Sequence, residues 1–172
     1  GAQHAKATFS SLRAVRFTAD ARTGDVLQAG GTPSHQCGRF TDDVVRCWSS
    51  PQGGPAEAIA LDTDIRFASI AYAAGEWCGG TRGGDIACFA DADLTPGGTF
   101  RPEAAPVRVV ITGVPLFLEI AGAGDREVGR TWCGIALDSK VHCWGINASG
   151  EVGAGTIGCV RAAPVEGSAK VG

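Results

Sequence analysis

Histidine occurs three times in these 172 residues, tyrosine once and methionine never. With His4, His35 and His142 as the whole supply of imidazole, and no nucleophile-elbow signature around any serine, a hydrolytic centre is not indicated and no catalytic residue is expected. Basic charge is also scarce: 15 Lys and Arg stand against 18 Asp and Glu, a formal net charge of −3. Such a chain has no broad positive field, so nucleic acid is not an expected partner. The one basic cluster, Lys6, Arg13, Arg16 and Arg22, is diluted by Asp20 and Asp25 and reads as solvated surface.

Other absences concern cofactors and membranes. The glycine pairs Gly30-Gly31, Gly53-Gly54 and Gly97-Gly98 lead into neither a lysine nor a helical pattern, unlike a phosphate-cradling loop. No C-x₂₋₄-C knuckle of the kind that seats structural zinc occurs, and no cofactor is expected. The most apolar stretch, Val107 to Gly124, contains Arg108, Pro115 and Glu119. A spanning helix would bury those charges, so the stretch reads as two strands around a Gly-Val-Pro turn. No signal peptide is visible and the chain opens at Gly1, so targeting information is expected to lie outside it.

What is abundant is glycine, 26 residues, with short apolar runs between. That composition favours strands and tight turns over long helices. A chain of this length buries roughly 70% of its unfolded surface, enough for one domain with a true core. Six of the seven cysteines form three pairs of equal spacing: Cys37/Cys47, Cys78/Cys88 and Cys133/Cys143. Gly38, Gly79 and Gly134 follow the first member, and Trp48, Phe89 and Trp144 the second. Turn-forming residues lie midway: Asp42-Asp43, Gly83-Gly84 and Asp138-Ser139.

A second series agrees. Phe17, Phe67 and Phe117 open FTADARTGD, FASIAYAAGE and FLEIAGAGD, and Pro55-Ala56, Pro106-Val107 and Pro164-Val165 recur in the same order. Internal repetition of this kind is the signature of repeat architectures. The unit predicts about four strands, so the expected fold is all-β: three four-stranded antiparallel blade-like repeats forming a partial or small propeller. The repeats are expected at about 9–54, 55–105 and 106–163, with 164–172 opening a further strand. The extra length before the third hairpin is expected in loops such as LTPGGTFRPEAAP, where insertions cost little.

If each cysteine pair lies directly across an antiparallel hairpin, the other partners follow. Trp132 pairs with Trp144, Trp77 with Phe89 and Gln36 with Trp48 on the face opposite the cysteines. Ile135 pairs with Val141, Gly80 with Ile86 and Arg39 with Val45 on the cysteine face. Both faces of the second and third hairpins are then mainly apolar, as in a blade pressed between two neighbours, whereas a half-exposed hairpin would alternate. Gln36, Arg39 and Arg46 make the first repeat the expected site of a wet, terminal face. Opposed cysteines suit disulfides, each closing a short loop worth roughly 2.5–3 kcal/mol. Reduced buried thiols and a metal site are the alternatives. Cys159 is the odd cysteine, readable as a buried thiol or as bonded to another chain.

The third repeat, TWCGIALDSKVHCWGINASGEVGAGT, closely resembles the regulator of chromosome condensation repeat in its bacterial form. Cys133, Leu137, Asp138, Val141, Cys143, Trp144, Gly145, Asn147, Gly150, Gly153, Gly155 and Thr156 fit the family frame. Glu151-Val152 replaces its Gln-Leu, and the first two repeats keep the cysteines, aromatic and turn but lose the Gly-x-Gly-Thr exit. Asn147-Ala148-Ser149, formally a glycosylation sequon, falls inside that turn motif. The resemblance runs from about Pro55 to Val165 and implies a propeller. The family's usual seven blades contrast with about three here, leaving an open partial propeller, intermolecular closure or a fragment as outcomes. Family members range from a nucleotide-exchange factor for a small GTPase to an inhibitor of β-lactamases, so function does not transfer with the fold.

The expected function is a non-catalytic extracytoplasmic protein-binding scaffold, an accessory or structural subunit of a larger assembly, free or membrane-associated, in a bacterial periplasm or cell exterior where disulfides persist. The alternative is a soluble secreted inhibitor or ligand-binding propeller. Candidate protein-contact residues are His35, Trp77, Trp132, Arg39 and Arg46, although replacing either tryptophan is expected to unfold the chain as loss of a core residue would.

Overall fold

Three copies of one strand pattern build the chain. The computed structural model describes residues 25–49, 57–125, 129–147 and 158–164. Sheet 1 consists of β1 (Val26–Gly31), β2 (His35–Phe40), β3 (Val45–Ser49) and β4 (Ile59–Ala60). Sheet 2 consists of β5 (Phe67–Ala73), β6 (Glu76–Thr81), β7 (Asp85–Ala90) and β8 (Arg108–Thr112). Sheet 3 consists of β9 (Phe117–Asp125), β10 (Gly129–Ala136), β11 (Val141–Asn147) and β12 (Gly158–Pro164). Each sheet is an antiparallel meander in chain order, the architecture of propeller blades. β4 and β8, which follow Pro55 and Pro106, complete the sheets before them, whereas β12 ends at Pro164.

The central hairpins have the register that opposed cysteines demand. Cys37 faces Cys47, Cys78 faces Cys88 and Cys133 faces Cys143, and all three pairs are disulfide-bonded. Trp77 faces Phe89 and Trp132 faces Trp144 on the opposite side. The hairpin turns place Asp43, Gly84 and Ser139 at equivalent positions with φ of 60°, 80° and 62°. Asp42 and Asp138 support their turns by accepting from the backbone N–H groups of Val44 and Lys140 at 3.1 and 3.0 Å.

The inner strands are congruent as well, including one irregularity. Val26, Phe67 and Phe117 pair with Phe40, Thr81 and Ala136; Gln28, Ser69 and Glu119 pair with Arg39, Gly80 and Ile135. The residue between, Leu27, Ala68 or Leu118, is squeezed out of register in all three sheets, which is a β-bulge. Phe17 lies outside the described residues, and Val26 takes the place in sheet 1 that Phe67 and Phe117 hold in the others. The reason is that an inner strand must reach its hairpin through a short turn, and Val26 stands as far before Cys37 as Phe67 does before Cys78.

The glycine after each first cysteine has a steric cause. A Cβ on Gly79 would collide with the Ser69 carbonyl oxygen and lie 2.6 Å from the Phe67 ring. On Gly134 it would lie 2.5 Å from the Phe117 ring. The bulged inner strand and its aromatic therefore occupy the volume that a side chain would need.

The sheets stack cysteine face to aromatic face. Cys37, Val45 and Cys47 of sheet 1 share a core with Phe67, Ile70, Trp77 and Phe89 of sheet 2. Cys78, Ile86 and Cys88 of sheet 2 share the next with Phe117, Ile120, Trp132 and Trp144 of sheet 3. The segment from Asp91 to Ala105, expected as a plain loop, is instead a packed excursion of three 3₁₀ turns, Asp91–Leu94, Pro96–Gly98 and Pro102–Ala104. Leu94 and Ala105 of this segment join the first core.

Candidate interaction surface

The candidate contact residues separate into buried and paired groups. Trp77 and Trp132 are 1% and 5% exposed, which removes them from the contact residues and leaves them in the core. Trp77 stacks on Phe89 at 6.0 Å and packs on the bare backbone of Gly30; Trp132 packs against Gly122 and Ala73. Each is the large side chain that fills the space between two sheets, and burial of this kind contributes about 1.5–3 kcal/mol. Arg39 bonds Asp43 at 2.7 Å, and Arg46 holds both oxygens of Asp42 at 2.9 and 2.8 Å while lying over the Phe40 ring. Those guanidinium groups are engaged within the first hairpin. His35 stands at the start of β2 with its ring stacked on Phe100 and its Nδ1 3.6 Å from Asp91 Oδ1. The structure brings the five together at no single place.

The wet face expected on sheet 1 is also not what forms on its cysteine side. Arg39 and Gln28 enter the junction with sheet 2, where Gln28 Oε1 accepts from the backbone N–H of Ile70 at 3.1 Å. Asp43 then reaches across to Arg82 of sheet 2 at 3.0 Å. Hydrogen bonding from Arg82 foremost, with Arg39 adding, holds the Asp43 carboxyl below the usual carboxylate range. Arg46 does the same for Asp42. The second junction carries its own ion pair, Arg130 of sheet 3 to Glu76 of sheet 2 at 2.8 Å.

The uncovered face lies at the other end, on the cysteine side of sheet 3. Ala71 and Ala73, half-buried and buried in sheet 2, correspond to Ala121 and Ala123, which are exposed. Cys78 is 1% exposed, whereas Cys133 is only half-buried. Ala121, Ala123, Thr131, Cys133 and Ile146 line a shallow depression of about 470 Å³. Glu119 stands exposed beside it, opposite Ile135. Leu118 and Leu137, 58% and 60% exposed, extend the apolar surface of this sheet. A β-sheet buries both faces only with a layer on each side, and among the described residues nothing provides the second layer here.

Sequence reasoning allowed for an open propeller with uncovered faces but did not place one here, because the third hairpin reads as apolar on both sides and so as fully covered. The signal was there: Glu119 is a charge on an otherwise apolar face. Among the described residues no group of three or more His, Cys, Asp or Glu side chains gathers to hold a metal, and no helix is long and apolar enough to cross a membrane. Cys159 pairs with Ile146 through its backbone, and the sequon residues Ala148 and Ser149 and residues 165–172 lie outside the described residues.

No protein-family model matches the chain, and no curated protein matches it. Solved structures do. Human WBSCR16 is 13% identical with a TM-score of 0.53, covering 82% of this chain and 38% of its own length. Prp20p from Saccharomyces cerevisiae, whose structure was studied with its binding to Gsp1p and histones, is 17% identical with a TM-score of 0.49 over 82% of this chain. The same yeast protein, as RCC1 (Prp20) bound to Kap60, gives the same values. The chain spans about 37–38% of the length of these structures. At such identities the likeness concerns the fold, and it is the fold of propeller-type repeats.

Proposed function

We propose that the chain is a non-catalytic protein-binding scaffold, an accessory or structural subunit of a larger extracytoplasmic assembly. The observation that carries this reading is the open cysteine face of sheet 3, apolar and equivalent to a surface that is buried in sheets 1 and 2. Exposed apolar area of this continuity is a feature of surfaces that meet another protein. Three disulfides support an oxidising compartment, a periplasm or cell exterior.

The competing reading, a free inhibitor using loops around His35, Trp77 and Trp132, loses two of its three contacts to the core. The deciding experiment is the native mass of the particle that carries this chain, isolated gently and without reductant. A particle well above 17.5 kDa containing other polypeptides is expected. A lone, soluble and stable particle of the chain's own mass overturns the scaffold reading.

A further inference from the structure

The two junctions inside the chain describe what a third would need. In both, a cysteine face receives the aromatic pair and the Phe-x-x-Ile inner strand of the next sheet. In both, an arginine of the later sheet bonds a carboxylate of the earlier one: Arg82 to Asp43, and Arg130 to Glu76. In the first junction, a side-chain oxygen on the inner strand, Gln28 Oε1, accepts the N–H of Ile70 from the sheet that covers it.

Glu119 occupies the position of Gln28 and Ser69, at the same place beside the same bulge. The positions closed within the chain are neutral, whereas the open one carries a carboxylate. An exposed charge keeps an apolar face wetted while it waits for a partner, and a carboxylate that meets a donor and a cation makes a stronger bond than a neutral amide does.

Resting on the scaffold reading, we infer that the cysteine face of sheet 3 docks a four-stranded sheet of another polypeptide. That sheet presents a cross-strand aromatic pair to Ala121, Ala123 and Cys133, and a backbone N–H together with an arginine or lysine to Glu119. A second copy of this chain does not supply it: the aromatic face of sheet 1 is already closed, with Phe40 and Trp48 at 0% and 2% exposure.

The test places a photo-crosslinking phenylalanine at Ala123 of the full chain in the cells that make it, with Leu27 as the control position, and reads the joined peptide by mass spectrometry. The expected product joins Ala123 to a peptide of another polypeptide with Trp or Phe on both arms of a hairpin and a nearby basic residue. Glu119→Gln should keep the crosslink within about threefold, and Glu119→Lys should lower it roughly tenfold or more, at unchanged melting temperature of the chain. A partner peptide without these features overturns this inference and leaves the scaffold reading standing. So does a product with a second copy, with a later segment of the same polypeptide, or none in a particle that is still large. Equal yields from Glu119→Lys and the parent also overturn it. No product together with a lone 17.5 kDa particle removes both.

Discussion

Single residues decide how tightly the sheets join. Trp132 is buried against Gly122 and Ala73 at the second junction, so Trp132→Ala leaves a hole that backbone cannot close. We expect a loss of about 3–5 kcal/mol, read by urea unfolding with the disulfides intact. A loss below about 1 kcal/mol would mean that Trp132 is a surface residue after all. Asp43 acts differently, through charge. Its carboxyl pKa is depressed by Arg82 and Arg39, so the unfolded chain takes up its proton at a higher pH than the folded one. The stabilisation is therefore complete above the unfolded value, near pH 4, and fades as pH falls through the lower folded value. Asp43→Asn should lower the urea midpoint at pH 7, and the difference from the parent should vanish toward pH 2. A constant difference across that range would show that the pair acts through packing alone.

At the scale of the element, the unit is a bulged inner strand laid over a disulfide-closed hairpin. The bulge and the glycine after the first cysteine are one device: removing Cβ from Gly79 lets the Ser69 carbonyl and the Phe67 ring approach β6. Gly79→Ala should cost about 1–3 kcal/mol, because the obstructing atom is backbone and cannot rotate away. Paired replacement Cys78→Ala with Cys88→Ala should cost about 2.5–3 kcal/mol through loop-closure entropy, measured against the oxidised parent. The cross-strand neighbours Trp77 and Phe89 should hold the hairpin register in that variant, visible as retained near-ultraviolet circular dichroism.

For the whole molecule the question is which faces are covered. Sheet 2 is covered on both sides, and its cysteine face is buried where the equivalent face of sheet 3 is open. Placing a charge there should not disturb the fold. Ala123→Lys is expected to change stability by no more than about 0.5 kcal/mol while removing the chain from its native particle. If the same substitution unfolds the chain, the face is structural and the docking surface lies elsewhere.

The sequence by itself determined the hairpins. Equal cysteine spacing, a glycine after the first cysteine, an aromatic after the second and a turn residue midway fix register, because cross-strand partners in an antiparallel pair follow one another without freedom. The all-β class and the blade count were legible for the same local reason. Tertiary structure alone decided the rest. It put Val26 on the inner strand of sheet 1, since the length of a connecting turn is a matter of how strands meet. Which residues cover Trp77 and Trp132 followed from which sheet lies against which, a relation between residues far apart in the chain. So did the open face of sheet 3: an alternation of apolar residues states what a strand is able to bury, and only the presence or absence of the next layer states whether it does.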